Sequence, residues 1–454
     1  MERCFLHGMI SAQIQAGRFF PTPNNLQNTM RLQLLLATLT TAALTAKDWP
    51  QFLGPEGNAT SSETGLVKSF PKSGPEIKWT AELESGFGGA AISGDEVFLG
   101  DRVEQEKDML LCLDFKTGKE KWRYESESEG EPSYPGSRSV PTVEDDAVYF
   151  LGSFGEVFRI NRKTGKADWK IKLSARYPDA KTPKWGYAQC TLVVGDTLIV
   201  MPFGEKTGIA GWDKETGKEI WKSGAIGNSH SSPVVANFGG TEQVILLTAG
   251  DEGSLNSYDP KSGKKLWSSK LYKNRIPITV PVQVDKDRLF VSGGYDGGSK
   301  MLSVKKAGTN FEVKELWTTQ KGSQVHPPFV IDNHLYFLAN ENSNHKTSTR
   351  RKKGGLVCYD LEGKELWSTG NDPFMGRGAS LYADGILIIQ DGENGILRLV
   401  APSSKGFKPL AEANVFGTDP KSKKDLRYWS PLALSDGKLL MRGQNKLLCV
   451  DLKK

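Results

Sequence analysis

A short turn sequence recurs along the chain and restricts the possible folds more than any other feature. Four copies read Asp/Asn, two residues, Thr/Ser-Gly-Lys, two residues and Trp: Asp114–Trp122 (DFKTGKEKW), Asn161–Trp169 (NRKTGKADW), Asp213–Trp221 (DKETGKEIW) and Asp259–Trp267 (DPKSGKKLW). A shorter copy is Asp360–Trp367 (DLEGKELW). The first side chain can accept hydrogen bonds from backbone N–H groups two residues on, and the glycine supplies a positive φ. Because alternating apolar residues precede the turn, each copy predicts a β-hairpin, and the set indicates a repeat architecture.

The tryptophans set the period of this repeat. They are Trp79, Trp122, Trp169, Trp221, Trp267, Trp317 and Trp367. Successive members lie 43 to 52 residues apart, which fits the four short strands of one propeller blade. A buried indole removes about 150–250 Å² from water. We therefore interpret these residues as structural docking wedges between adjacent blades and not as ligand contacts.

The strand pattern predicts eight blades. In the second repeat it predicts strands at Ser139–Val143, Ala147–Leu151, Glu156–Ile160 and Ala167–Lys172. The last repeat, which begins near Trp429, has only three strands, and Glu76–Leu83 is an isolated strand that can complete it. Such closure removes two exposed sheet edges. We therefore expect an all-β, eight-bladed propeller of four-stranded antiparallel blades, closed by an N-terminal strand. Seven blades is the alternative, if the repeat at about 377–413 is irregular.

Composition supports one closed body with short additions. Of 454 residues, 38% are hydrophobic and 25% are charged, as in globular domains. The net charge of +6 is small beside 59 basic and 53 acidic residues, so we expect no nucleic-acid partner. We divide the chain into an N-terminal extension and signal peptide (1–46), an extended strap (47–75) and the propeller (76–454). Asn340–Gly355 and Asp419–Asp425 are predicted polar loops.

The N-terminus resembles a secretory signal peptide. Met30-Arg31 precedes an apolar stretch, Leu32–Leu44, and small residues follow up to Ala46. This stretch is too short to span a bilayer. We therefore predict an exported protein, periplasmic or extracellular, without a membrane span. Translation from Met1 or from Met30 and a buried N-terminal helix remain alternatives.

The cysteines indicate packing rather than chemistry. Cys112, Cys358 and Cys449 occupy equivalent repeat positions, and Cys190 is interpreted in the same way as a small buried hydrophobe. No CxxC, CxxCH or adjacent Cys-Cys pair occurs. The sequence therefore predicts no metal site, c-type haem or redox disulfide.

The hairpins resemble the repeats of the pyrroloquinoline-quinone (PQQ)-like β-propeller family. The resemblance covers about Trp79 to Lys454, and the opening DWPQFLGP is similar to exported bacterial members. It implies an eight-bladed propeller with docking tryptophans. The family includes dehydrogenases that bind PQQ and Ca²⁺ in the central funnel, and a non-catalytic lipoprotein of outer-membrane β-barrel assembly. This chain lacks the vicinal cysteines and haem motif of the former and the lipidated cysteine of the latter.

A candidate ligand site follows from aligning the residue that opens each innermost strand. Three residues before these anchors lie Phe87, Arg138, Tyr187, His230, Ile278, Val325, Arg377 and Tyr428, with Trp185, His326 and Trp429 close by. Aromatic rings, arginines and histidines converging on one axis predict a pocket for a planar or sugar ring and an anion. The alternative is that these side chains only plug the channel.

Two functions follow from these patterns. The first is a non-catalytic binding or scaffold module for a protein partner or a small-molecule or carbohydrate ligand at the channel mouth. The alternative is a PQQ-dependent oxidoreductase with PQQ and Ca²⁺. No catalytic residue, metal ligand or cofactor is predicted in the first case, and we expect a monomer.

Overall fold

The computed structural model describes residues 48–250, 254–295, 297–339, 355–370, 372–373, 375–417 and 427–454. The predicted signal peptide (1–46), residues 340–354 of the predicted insertion and the predicted loop Asp419–Asp425 lie outside these ranges. Eight four-stranded antiparallel sheets form the described chain. The prediction of eight blades is therefore correct, and the seven-bladed alternative is wrong.

The blades follow one another along the chain, each running from its innermost to its outermost strand. Blades 1 to 4 contain β2 (Ala91–Ser93), β3 (Glu96–Val103), β4 (Lys107–Asp114), β5 (Glu120–Glu127); β6 (Thr142–Val143), β7 (Ala147–Leu151), β8 (Glu156–Asn161), β9 (Ala167–Lys172); β10 (Leu192–Val194), β11 (Thr197–Val200), β12 (Ile209–Asp213), β13 (Glu219–Ser223); and β14 (Val234–Phe238), β15 (Thr241–Leu247), β16 (Leu255–Tyr258), β17 (Lys265–Ser269). A four-residue helix, α1 (Leu173–Arg176), follows β9.

The second half of the ring repeats this order. Blades 5 to 8 contain β18 (Val282–Gln283), β19 (Arg288–Gly293), β20 (Gly298–Ala307), β21 (Asn310–Thr319); β22 (Phe329–Ile331), β23 (His334–Ala339), β24 (Gly355–Asp360), β25 (Glu365–Ser368); β26 (Ala379–Ala383), β27 (Ile386–Gln390), β28 (Ile396–Val400), β29 (Pro409–Asn414); and β30 (Ala433–Ser435), β31 (Lys438–Arg442), β32 (Lys446–Asp451).

An N-terminal strand completes blade 8. Strand β1 (Ile77–Glu82) pairs antiparallel with β32, and Trp79 lies opposite Cys449. The sheet order is β1-β32-β31-β30, so β1 forms the outer edge of the last blade. Closure by Glu76–Leu83 is therefore confirmed: it supplies the fourth strand that the last repeat lacks and joins the two ends of the ring.

The recurrent turns hold neighbouring blades together. Asp213 Oδ1 accepts hydrogen bonds from the backbone N–H (2.8 Å) and the hydroxyl (2.6 Å) of Thr216, three residues on. In another copy, Asp259 Oδ1 also accepts from the backbone N–H of Lys261, two residues on as expected, at 3.1 Å. Six of the seven tryptophans donate their indole N–H to a backbone carbonyl of the next blade, at 2.7 to 3.1 Å. Trp267 instead donates to Gln243 Oε1 in its own blade, because the long β20–β21 hairpin of blade 5 has no Thr-Gly turn.

A strap crosses the end of the channel near the Thr-Gly turns. Trp49 pairs with Ile92 of β2, and the carbonyl of Pro50 accepts a hydrogen bond from Val143 of β6 at 2.8 Å. On the other side of the axis, the strap backbone pairs with Tyr382 of β26. Phe52 of this strap lines two cavities, one on the channel axis and one between the strap and blades 3 and 4. The strap therefore forms a floor under the channel.

Candidate functional site

A cavity of about 140 Å³ lies in the channel above this floor. Its lining side chains, most of them aromatic or aliphatic, are Phe52, Phe87, Tyr134, Arg138, Trp185, Ala188, Cys190, His230, Ser232, Ile278, Tyr295, Gln324, Val325, His326, Arg377, Trp429 and Pro431. All eight blades and the strap contribute. The result is an axial funnel with one closed end.

The structure brings most of the predicted site residues together. Of the eight positions predicted from the strand alignment, six line this funnel: Phe87, Arg138, His230, Ile278, Val325 and Arg377. The neighbours Trp185, His326 and Trp429 line it as well. Ligand binding by these residues stays a prediction.

Tyr187 and Tyr428 do not line the funnel. The Tyr187 ring is buried between blades 2 and 3 and stacks on Phe203, with ring centroids 6.0 Å apart. The Tyr428 ring lies 4.7 Å from that of Phe416. Adjacent extended residues point in opposite directions, so Trp429 and not Tyr428 enters the funnel, and in blade 3 Trp185 and Ala188 take the place of Tyr187.

Sequence reasoning missed four lining residues of note. Tyr134, Tyr295 and Gln324 lie in loops outside the strand alignment, and Phe52 comes from the strap. An aromatic residue in a Pro/Gly-rich loop is the one signal that could have indicated Tyr134 and Phe52. Their positions depend on the closed ring, which places these loops at the axis.

The aromatic side chains form a continuous arc around the mouth. The Phe87 and Trp429 rings stack with centroids 5.6 Å apart, and Tyr134 lies 6.1 Å from both Trp429 and Trp185. Trp185 in turn stacks on His230 at 4.8 Å. Each ring holds its neighbour, so the arc is a pre-formed apolar wall.

Arginines accompany this wall. The Arg377 guanidinium lies 4.1 Å from the Trp429 ring centroid, and its Nε donates to Glu393 at 3.0 Å. Arg138 lies 5.9 Å from the Phe87 ring and donates to the carbonyls of Gly136 and Tyr134. No carboxylate among the described residues lies within ion-pair distance of Arg138. Arg138 therefore lacks an ion pair in that part of the chain. Arg427 is a further arginine beside this wall, with its guanidinium 4.8 Å from the Trp429 ring centroid.

The two histidines at the mouth are held neutral. Burial lowers the pKa of His326 to about 4. Its Nε2–H donates to the Trp429 carbonyl at 3.1 Å, because a carbonyl oxygen can only accept. Burial and the nearby Arg138 charge also lower the pKa of His230 to about 4. At neutral pH neither ring adds charge to the funnel.

Metal-binding clusters and membrane-spanning helices are both missing from the described ranges. There, no group of three or more His, Cys, Asp or Glu side chains is arranged to hold a metal ion. None of the helices in the described part of the chain has the length and hydropathy needed to span a membrane. Cys112, Cys190, Cys358 and Cys449 are buried and free.

The closed ring, the indole wedges and the axial funnel define a propeller of the PQQ-like repeat class. A family model described as "Outer membrane protein assembly factor BamB" matches residues 58–182 and 251–454. The chain belongs to this family.

Similar proteins include BamB and two dehydrogenases. Quinoprotein alcohol dehydrogenase PedH of Pseudomonas putida is 25% identical over 158 residues, which cover 31% of this chain and 25% of that protein. The crystal structure of BamB from Moraxella catarrhalis matches with a TM-score of 0.58 and 14% identity, over 83% of this chain and 98% of that one. A europium-containing methanol dehydrogenase matches with a TM-score of 0.63 and 13% identity, over 87% and 89%. At these identities the solved structures support the fold alone.

Proposed function

We propose that this protein is an exported, non-catalytic binding module whose ligand enters the mouth of the axial funnel. The observation that carries this proposal is the funnel itself, with a floor made by the strap and a wall of stacked aromatic rings. A ligand that enters a one-ended apolar cavity loses most of its hydration shell, and a few placed polar groups then orient it. A binding function needs no more than this arrangement.

The polar groups of the funnel do not form a nucleophile and base. Burial raises the pKa of the Cys190 thiol to about 11, so the thiolate form is suppressed at neutral pH. The Ser232 hydroxyl accepts a hydrogen bond from the backbone N–H of Cys190 at 2.9 Å. No Asp or Glu belongs to the lining residues. These features support binding over acyl transfer or general acid–base chemistry.

The PQQ-dependent oxidoreductase is the second candidate, and its cofactors fit the funnel only in part. The aromatic wall and Arg138 suit a planar anion. Ca²⁺ prefers about six to eight oxygen ligands, with carboxylates prominent among them, and the lining residues provide no carboxylate. The residues therefore do not fit a quinone–calcium pair, and the binding module is the favoured function.

Two further parts of the proposal rest on the family. Export agrees with a family model whose description refers to the outer membrane and with the signal-like sequence at 30–46. A protein partner at the same mouth is suggested by that description, which names an assembly factor. The enclosed shape of the funnel favours a small molecule or a narrow chain end over a broad protein surface.

The test is to fill the funnel entrance and to measure which bound molecules the protein no longer retains. Ala188 lines the mouth and is partly exposed, so Ala188→Trp should fill the entrance with little disturbance of the core. Purified wild-type protein and the variant are incubated with native cell extract, and mass spectrometry compares what each retains. We expect at least one species to be retained by the wild type and lost from Ala188→Trp.

The matched control is Ala225→Trp, at an exposed residue outside the funnel lining. This variant should retain the same species as the wild type. Equal retention by all three folded proteins would contradict a ligand site in the funnel. Retention of a protein rather than a small molecule would favour the partner form of the proposal.

A further inference from the structure

Three buried polar atoms in the funnel lining lack a hydrogen-bond partner in the described protein. They are Nδ1 of His230, Oε1 of Gln324 and Nε1 of Trp429. Each unsatisfied buried group costs about 1–3 kcal/mol, so native structures rarely keep such a group without a reason. All three atoms belong to residues that line one cavity, which points to an occupant that supplies the missing partners.

The three atoms place opposite demands on that occupant. Trp429 Nε1–H can only donate and Gln324 Oε1 can only accept, whereas a neutral imidazole nitrogen does one or the other. The occupant must therefore both accept and donate hydrogen bonds within a small space. Hydroxyl groups do both, whereas a ligand with acceptor oxygens alone would leave Gln324 Oε1 unsatisfied.

The wall of the funnel selects the shape of the same occupant. Phe87, Tyr134 and Trp185 present aromatic carbon surface along the cavity. A pyranose ring has an apolar face of C–H groups that packs on such surfaces and an edge of hydroxyls that reaches the polar atoms between them. Water would satisfy the polar atoms but gains nothing from this wall.

Arg138 adds a requirement for charge. Arg377 is already paired with Glu393, but the Arg138 guanidinium donates only to backbone carbonyls in the described structure. Arg138 lines the same cavity as His230, one of the residues with an unsatisfied atom, so the cation belongs to the wall that also carries the polar groups. A carboxylate on the ligand would give Arg138 the paired hydrogen bonds that its planar fork favours.

We propose that the funnel mouth binds an acidic sugar, either a free uronic acid or the uronate end of a polysaccharide. Its carboxylate pairs with Arg138, its hydroxyls satisfy Gln324 and Trp429, and its apolar face lies on the aromatic wall. This inference rests on the proposed binding function and specifies the ligand class.

The experiment uses four probes and isothermal titration calorimetry at neutral pH on the full chain. D-glucuronate carries all the proposed features, D-glucuronamide has the same shape without charge, benzoate has the charge and a flat ring without hydroxyls, and a uronate-terminated disaccharide represents a polysaccharide end. We expect D-glucuronate to bind at least about tenfold more tightly than either D-glucuronamide or benzoate, because the amide lacks the charge-assisted contact and benzoate lacks the hydroxyl hydrogen bonds. Tighter binding of the disaccharide would identify the polysaccharide end as the source, and equal or weaker binding the free acid.

Variants assign the contacts. Arg138→Gln should remove the preference for D-glucuronate over D-glucuronamide, while Arg138→Lys should keep part of it. The matched control Arg123→Gln, at a half-exposed arginine on the outer strand β5, should bind like the wild type. Trp429→Phe keeps a ring but removes the N–H donor. It should weaken the binding of both sugars several-fold and should not strengthen the binding of benzoate.

Several outcomes would overturn the inference. Equal binding of D-glucuronate and D-glucuronamide, or equal effects of Arg138→Gln and Arg123→Gln, would show that the ligand does not need an acidic group. Equal binding of benzoate and D-glucuronate would show that the funnel recognises a planar anion and not a sugar. No binding of any probe to folded wild-type protein would reject the ligand class, and the Ala188→Trp retention experiment would still decide separately on the binding function.

Discussion

At the residue scale, the funnel depends on side chains whose ionisation is set by burial. The Nε2–H of His326 holds the Trp429 carbonyl, and burial lowers the pKa of His326 to about 4. An unfolded histidine has a pKa of about 6.5. Between these two values the unfolded chain binds a proton that the folded chain does not, so stability falls as the pH falls through this window.

This argument predicts a pH dependence that His326 controls. Above about pH 6.5 the histidine is neutral in both the folded and the unfolded chain, so it does not make stability depend on pH. Towards pH 4 the free energy of unfolding of the wild type should fall by on the order of 2–3 kcal/mol through this group. His326→Gln keeps a donor for the Trp429 carbonyl and cannot titrate, so its stability should fall less between about pH 6.5 and about pH 4.5. Urea denaturation at several pH values measures both slopes. Parallel curves for the two proteins would contradict the assignment.

The site was predictable from sequence only where it follows the strand repeat. Counting back from the anchor of each innermost strand places Phe87 and Arg138 correctly, because these blades keep one register. The same count fails at Tyr428, where a shift of one residue reverses the side-chain direction and brings Trp429 into the funnel. Tyr134 lies on the loop between blades 1 and 2, and Tyr295 lies on the β19–β20 loop within blade 5. No local pattern predicts which loop reaches the axis.

At the element scale, a hairpin with the Thr/Ser-Gly turn is stabilised by the tryptophan of the preceding blade. The Trp221 indole is 7% exposed and donates to the Pro260 carbonyl at 2.9 Å. It lies under the next turn, where a Cβ on Gly263 would come 2.3 Å from the ring and where φ is +68°. The turn therefore requires glycine both for its backbone and for the indole.

Removal of this wedge should destabilise the ring. Trp221→Ala leaves a cavity between blades 3 and 4, and we expect a loss of about 3–5 kcal/mol in the free energy of unfolding. The control is Ile220→Ala on the same strand, where the side chain is 49% exposed and a change within about 0.5–1 kcal/mol is expected. Chemical denaturation measures both, and a loss below about 1 kcal/mol for Trp221→Ala would contradict the wedge interpretation.

The hairpins were predictable because they are local. The turn sequence specifies its own hydrogen bonds, and the Trp follows at a fixed distance on the outer strand. Blade 5 is one exception, since β20 and β21 extend over ten residues each and replace the turn with a longer hairpin. The bond from Trp267 to Gln243 was not predictable, because it depends on what the neighbouring blade lacks.

At the scale of the whole molecule, the ring closes through a polar relay as well as through β1. Gln390 of blade 7 donates to the carbonyl of Arg442 in blade 8 at 3.2 Å. The fully buried Arg442 guanidinium reaches blade 1, where Nη2 pairs with Asp101 at 2.9 Å and Nη1 donates to the carbonyls of Gly88 and Gly100. Closure by β1 was predictable from the missing strand, but a pair separated by 341 residues leaves no local signal.

The relay predicts a strong coupling between the first and last blades. Asp101→Asn leaves the buried Arg442 charge without its counter-ion, and such a change costs about 3–5 kcal/mol. Arg442→Met alone leaves Asp101 still accepting backbone N–H groups of Glu84 and Ser85, at 2.8 and 2.9 Å. The double variant should therefore be more stable than the sum of the two losses implies, by at least about 1–2 kcal/mol.

A double-mutant cycle by urea denaturation measures this coupling, and the exposed pair Glu120–Arg123 on β5 provides the control cycle. Exposed pairs of this kind couple by about 0.2–1 kcal/mol or less, because solvent screens the charges and both side chains lose entropy when they hold one geometry. Coupling at Asp101–Arg442 no larger than in the control would mean that the buried pair does not join the blades. Closure of the ring would then depend on the pairing of β1 with β32 and on the Trp79 indole that blade 8 places against blade 1.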